Sequence, residues 1–281
     1  MNHAAASSRP AAHRRAWLAQ AGALACGLAL PAAAARAQVS DLNDAINKAG
    51  RQRMLSQRMG KAWLALAHGV ETAGARQVLE RSIALFERQL DELQAFAPRP
   101  DIRATYAELG TAWARYQAAL TRGAPAAADA AALLQADARV LSLAHQGTVQ
   151  YEAAQAQPVG RLVNIAGRQR MLSQRMAKFC LAAALGVDAA AAQAEIAQAR
   201  TEFLQAMQTL RQAPQATDRI RGALQMADAQ WVFFDAALGR LQGGDGPRGM
   251  GTRALSEVFV ASEHLLTVMD QVTGLYAAVK A

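Results

Sequence analysis

Apolar residues recur along this chain at intervals of three and four. Ile83, Phe86, Leu90 and Leu93 form one such series, and this spacing lines one face of an α-helix. Proline and glycine cluster between the periodic stretches. Alanine, leucine, glutamine and arginine, all good helix formers, dominate the rest. The pattern predicts eight helices, near residues 39–69, 75–96, 101–121, 126–156, 159–186, 189–212, 216–241 and 250–279. No stretch alternates apolar and polar positions as a half-buried strand does. Short connections favour antiparallel neighbours, so the expected fold is all-α, two four-helix bundles in tandem.

The two bundles are expected to be copies of one another. The eleven residues Ala49-Gly-Arg-Gln-Arg-Met-Leu-Ser-Gln-Arg-Met59 return unchanged as Ala166 to Met176, 117 positions on. At the same offset Asn47 matches Asn164, Lys61 matches Lys178, Gly69-Val70 matches Gly186-Val187, Phe86 matches Phe203 and Leu93 matches Leu210. Trp113 and Tyr116 pair with Trp231 and Phe234 at 118, and Leu141, Gln146, Thr148 and Tyr151 with Leu266, Gln271, Thr273 and Tyr276 at 125. The added residues fall around Gly243 to Gly249, a loop by composition. A period this long marks duplication of a whole domain, not a solenoid repeat. The expected organisation is a leader over 1–37, a first module over 38–157 and a second over 158–281. Each module, at about 120 residues, is large enough to bury its own core. The join around Gln157-Pro158 admits a kinked continuous rod.

The leader reads as a cleaved signal peptide. Arg9, Arg14 and Arg15 form a basic start, Ala16 to Leu30 is apolar apart from one glutamine, Pro31 ends the run, and Ala35-Arg36-Ala37 is a cleavage signature. His13 to Leu18 also loosely resembles a twin-arginine signal. An uncleaved anchor and a lipoprotein modified at Cys26 are the alternatives; the apolar run is short for a span, and Leu24 is misplaced for a lipoprotein. Export to the periplasm with cleavage after Ala37 is therefore expected.

Removing the leader changes the charge picture. The 281-residue chain carries 30 basic and 22 acidic residues, +8. The leader holds four arginines and no acid, which leaves 26 against 22, or +4. That argues against a broad nucleic-acid surface. Cys180 is then the one remaining cysteine, in an apolar run where a buried, inert thiol is expected. His68, His145 and His264 show no metal-ligand or nucleophile spacing, and no CxxC or Glu-x-x-His pair occurs. Neither a cofactor nor an enzymatic activity is expected. The histidines are expected on helix surfaces or satisfied in the core.

The repeated run carries three arginines on a helix. At 100° per residue, Ile46, Ala49, Gly50, Ser56, Gln57 and Gly60 fall within about 60° of Arg53, while Leu55, Met59, Ala62 and Leu66 fall on the far side as a core stripe. In the second module the first stripe is Val163, Ala166, Gly167, Arg170, Ser173, Gln174 and Ala177. Gly50 and Gly167 cost about 1 kcal/mol each inside a helix, so close approach of another helix is the reason to hold them. If the two first helices pack stripe to stripe, Arg53 and Arg170 meet. Two guanidiniums repel unless an anion lies between them, and their planar forks match a small planar oxyanion. Ser56, Ser173, Gln57 and Gln174 would add neutral donors. The competing reading is that these arginines reach water or pair with carboxylates. Arg51 and Arg58, and with them Arg168 and Arg175, point away and are expected in internal salt bridges. Lys61 and Lys178 are expected solvated or paired. Asn47 and Asn164 either bridge helices or fix the first helix near the site.

The pattern Asn-x-Ala-Gly-x-x-Arg-Met-x-Ser-x-Arg, at Asn47 to Arg58 and again at Asn164 to Arg175, resembles the sensor domain of the PilJ and NarX-like family. These are the N-terminal domains of type IV pilus methyl-accepting transducers and of nitrate/nitrite sensor kinases. The resemblance implies a dimerising four-helix bundle with nitrate or nitrite held between the two first helices by the arginine three residues after the glycine, here Arg53 and Arg170. Two modules in one chain then imply an intramolecular pseudo-dimer with one asymmetric site. No span or output domain is evident after the leader, so the expected function is an exported protein that binds a small oxyanion and reports to a partner such as a membrane-bound sensor or transporter. The alternative is a ligand-free interaction module of a pilus or chemotaxis assembly.

Overall fold

Each helix stops where its sequence supplies a reason. A computed structural model describes residues 38–155, 157–240 and 251–279; the expected leader over 1–37 and the loop Gly243 to Gly249 lie outside them. The described residues form α1 (Leu42–Ala67), α2 (Thr72–Phe96), α3 (Pro100–Thr121), α4 (Ala130–Gln155), α5 (Pro158–Ala184), α6 (Ala189–Gln212), α7 (Asp218–Gly239) and α8 (Thr252–Ala277), with a short 3₁₀ turn, Ala127–Asp129, before α4. The Asp41 side chain caps α1 by accepting from the Asp44 amide at 2.9 Å. Pro100 and Pro158 open α3 and α5, where a missing N–H costs nothing. Gly69 and Gly186 end α1 and α5 at φ of +70° and +81°. At both ends the next valine amide bonds back to the third-last helical carbonyl, Val70 to Ala65 at 2.9 Å and Val187 to Ala182 at 3.1 Å, a Schellman closure that needs the left-handed glycine. Gln157 is extended, as a residue before proline should be. The chain therefore breaks between α4 and α5, and no continuous rod joins the modules.

The first helix of each module is surrounded. α1 buries 18 of its 26 residues and α5 19 of its 27, against eight of 25 in α2. α1 packs on α2 and α4, α5 packs on α6 and α8, α3 lies on α4, and α7 lies on α8. The most extensive helix–helix contact among the described residues is between α1 and α5. Residues 38–157 and 158–281 thus meet through their motif helices, within one compact unit whose apolar core runs through both. The α1 stripe opposite Arg53 (Leu55, Met59, Ala62) is core, with Leu66 partly exposed, and the Arg53 stripe is equally buried. One face looks into its own bundle and the other onto α5. No described helix is long and apolar enough to cross a membrane.

The duplication is visible in the packing. Phe86 stacks on Trp113 at 4.2 Å and Phe203 on Trp231 at 4.4 Å between ring centroids. Tyr151 donates to the Leu93 carbonyl at 2.8 Å and Tyr276 to the Leu210 carbonyl at 2.7 Å. Volume is traded between the copies elsewhere. In the first module the buried Tyr106 ring lies against Gly147 of α4, where an added methyl would sit 2.7 Å from Cε2. The positions equivalent by the repeat offsets are Leu224 and Val272, both buried.

Gly147→Ala should therefore destabilise the protein by about 1–3 kcal/mol through overpacking, despite the better helix propensity of alanine. Gly222, at an exposed position of α7, has nothing within 4 Å of its missing methyl. Gly222→Ala should stabilise by up to about 1 kcal/mol. Urea unfolding of both variants checks the pair, and equal signs would refute the packing argument.

Candidate functional site

The motif helices cross at their glycines. A methyl built on Gly50 would lie 3.9 Å from Gly167 Cα, 3.2 Å from Arg53 Nη2 and 3.5 Å from Arg170 Nη2. The reciprocal position on Gly167 is 3.2 Å from Arg170 Nη2 and 3.9 Å from Arg53 Nη2. The two guanidinium groups thus converge on one point. A methyl on either glycine would press on the guanidinium of its own helix and touch the other at ordinary contact distance.

Each arginine reaches into the other module. Arg53 Nη2 donates to Asn164 Oδ1 at 2.7 Å and lies 3.4 Å from the Asn164 carbonyl oxygen. Arg170 Nη2 donates to the Asn47 carbonyl at 3.0 Å. Both side chains are fully buried. Neither Nε has a hydrogen-bond partner among the described residues, and Asn47 Oδ1 is also unpartnered. Burial pushes the Arg53 guanidinium down to about 9, with Arg168 and Arg170 adding to the fall and Glu152 opposing it. Burial pushes Arg170 down to about 10, partly offset by Asp270. Both remain cations at neutral pH, and a buried cation is costly unless an anion answers it.

The two arginines are answered differently. Arg170 Nη1 donates to Asp270 of α8 at 2.5 Å. At the equivalent place on α4, 125 positions earlier, stands His145, whose Nδ1 lies 3.2 Å from Arg53 Nη1. An arginine only donates, so His145 Nδ1 accepts and its proton sits on Nε2. Burial, then Arg53 and Arg168, push the His145 pKa down, which keeps it neutral. Arg53 therefore has no carboxylate in contact among the described residues. Its nearest negative charge is relayed, because Asn164 Nδ2 donates to Glu152.

The other motif residues hold the frame. The Ser56 and Ser173 hydroxyls donate to the carbonyls of Arg53 and Arg170 at 3.0 and 2.9 Å. Gln57 Nε2 donates to Asp137 at 2.8 Å and Gln174 Nε2 to the Ser262 carbonyl at 2.9 Å. These four groups are turned to α4, α8 and their own helices, so the structure does not bring their donors to the arginine pair. Gln57 Oε1 and Gln174 Oε1 are left unpartnered. Arg51 and Arg58 pair with Asp270 and Glu263 of α8, across the module boundary. Arg168 and Arg175 pair with Glu202 and Glu195 of α6, inside their own module. Lys61 and Lys178 are buried and crossed: Lys61 reaches Glu263 at 2.6 Å and Ser262 at 2.8 Å, and Lys178 reaches Asp137 of α4.

Sequence reasoning does not single out His145, Asp270, Glu152, Asp137 or Glu263. The signal for the first two was present, since the offset that pairs Gln146 with Gln271 also sets His145 against Asp270. Cys180 is buried, and burial raises its thiol to about 12. His68 Nε2 lies 2.9 Å from the Leu181 carbonyl, and His264 is exposed. No group of three or more histidines, cysteines or carboxylates suited to a metal occurs among the described residues.

Comparison with known families bears on this geometry. The family model PilJ, described as the N-terminus of type IV pili methyl-accepting chemotaxis transducers, matches residues 20–139 and 151–245. Each matched segment contains one copy of the eleven-residue run. No curated protein and no solved structure matches the chain.

Glu263 gives the crossed ion pairs a pH signature. Burial alone would raise its carboxyl, but Lys61 and Arg58 outweigh burial and hold it at about 2, against an ordinary 4.5. A carboxylate lowered on folding contributes stability that is complete above its unfolded value and is lost as pH falls through the folded one. Between pH 4.5 and 2 the loss should reach about 3 kcal/mol. Glu263→Gln should cost roughly 3 kcal/mol at pH 7, by leaving Lys61 and Arg58 without their carboxylate, and should reduce the slope over that acid window, where Asp270, also held at about 2, still titrates. Denaturant unfolding at stepped pH decides it, with an unchanged acid slope as the contrary result.

Proposed function

Since the chain belongs to the PilJ family, a family of sensory transducer domains, we propose that it binds a small oxyanion between Arg53 and Arg170 and passes the binding event to a partner protein. Nitrate and nitrite are the first candidates, and export to the periplasm is part of this reading. The observation that carries it is the convergence of two fully buried guanidiniums on the Gly50–Gly167 crossing, each with an unpartnered Nε. An anion there would neutralise a repulsion that the fold otherwise bears across the α1–α5 interface. A planar oxyanion suits the site because guanidinium donors lie in one plane and each Nε–H here is unpartnered. Mechanically, the anion would favour the packing in which the motif helices are closest, and a ligand shifts an equilibrium only through such a preference. His145 and Asp270 connect that packing to α4 and α8.

A ligand-free interaction module is the second reading. It draws on apolar side chains left exposed on the outer face of module two, Met226, Val232 and Phe233 of α7 and Val260 of α8. The first reading is the stronger, because those side chains say nothing about why two arginines are buried together.

Calorimetric titration with nitrate and with nitrite, in chloride-free buffer, tests the proposal. One anion per chain is expected, with thermal stabilisation worth about 2.7 kcal/mol at a hundredfold excess over Kd. Arg53→Lys and Arg170→Lys keep the charge and lose the fork, so each should weaken binding at least about tenfold. Absence of both heat and thermal stabilisation with either anion would sink the oxyanion reading and leave the interaction module.

A further inference from the structure

A cavity of about 370 Å³ opens between α4, α5 and α6, with Arg53 of α1 among its lining residues. Pockets for small organic ligands begin at about 300 Å³, so this space exceeds what a three- or four-atom oxyanion fills. Its existence follows from the broken symmetry of the duplication. On the opposite side, the gap between α1 and α8 is crossed by Arg51–Asp270, Arg58–Glu263 and Lys61–Glu263. On this side, α4 presents His145 and Ala138 at the places of Asp270 and Glu263. Arg168 and Arg175 turn instead to α6. Lys178–Asp137 is the only ion pair that crosses from α5 to α4 among the described residues.

The charges around the cavity do not balance. Arg168, Arg175 and Lys178 are each matched by Glu202, Glu195 and Asp137. Arg53 has no carboxylate in direct contact: it is fully buried, with an unpartnered Nε and only neutral contacts, and Glu152 answers it at one remove through Asn164. The rest of the lining combines the apolar Leu134, Leu141, Met171, Leu172 and Phe179 with the neutral polar Ser142, His145 and Gln198. One buried cation without a carboxylate in contact, in a largely apolar space, calls for one negative charge on an apolar body.

We infer that the α4–α5–α6 cavity binds an organic monocarboxylate, whose carboxylate lies beside His145 and answers the charge of Arg53 as Asp270 answers that of Arg170. His145, with its proton on Nε2, lines the cavity beside Arg53, and Ser142 lines it at an exposed position. This site shares Arg53 with the proposed oxyanion site and does not depend on it: the oxyanion lies between the two arginines, the carboxylate on the outer side of one.

The probes are benzoate and hexanoate, with benzamide as the uncharged match for benzoate, titrated calorimetrically into the protein. Saturable binding of at least one acid at one per chain is expected, with benzamide at least about tenfold weaker. Ser142→Trp fills the cavity mouth from an exposed position and should weaken binding of the acid at least about tenfold while leaving any nitrate heat intact. His145→Asp gives Arg53 its own carboxylate; it should abolish binding of the acid while the melting temperature holds or rises. No saturable signal from either acid up to about 10 mM, a range that covers even millimolar affinity, would overturn the inference. So would acid binding that both variants leave unchanged. Nitrate binding that survives Ser142→Trp separates the two readings: in the unsubstituted protein, absence of carboxylate binding alone condemns this site, and absence of nitrate binding alone condemns the other.

Discussion

The whole arrangement rests on placing two like charges where two helices touch. Gly50 and Gly167 bring the α1 and α5 backbones together, and Arg53 and Arg170 fill the space that the missing side chains leave. Helices so close exclude water, which makes each guanidinium expensive to bury. The surrounding polar groups answer that cost. Asn164 and the Asn47 carbonyl take one donor from each arginine across the module boundary, and Asp270 and His145 take another. The serine back-bonds and the glutamine contacts to α4 and α8 hold the same turns of helix in register.

Two copies in one chain are free to differ, and these two have divided the work. The four carboxylates that answer the outer motif arginines, Glu195, Glu202, Glu263 and Asp270, all lie in the second module. Their counterparts in the first are Val78, Leu85, Ala138 and His145. The motif helices are identical over eleven residues, yet one is braced by its neighbour's α8 and the other by its own α6. The asymmetry of the centre comes from the flanking helices, not from the motif.

The helices, their order and the meeting of Arg53 with Arg170 were legible in the sequence. The eight predicted spans lie within about four residues of the observed helices, because caps, prolines and periodicity act locally. The arginine pair followed from one helical wheel applied twice. What was not legible depends on which helix lies beside which. The outward use of Ser56, Ser173, Gln57 and Gln174 was hidden because a wheel gives a direction and not a partner. Lys61 and Lys178 look like surface lysines until α4 and α8 are known to cover them. His145 had its signal in the repeat offset, but a lone histidine facing an arginine is unusual enough that spacing alone does not nominate it. The two motif-helix faces, one core and one interface, read differently in hydropathy and are equally buried.

Tethering the two motif helices in one polypeptide alters how such a centre would be regulated. When two separate chains must meet to build an interface, its occupancy rises and falls with protein abundance. Here α5 is held beside α1 by covalent connection, so the effective local concentration of one for the other is set by chain geometry. Expression level then drops out of the equilibrium between looser and tighter packing. A cell could make few or many copies of this protein without retuning the threshold at which each one responds.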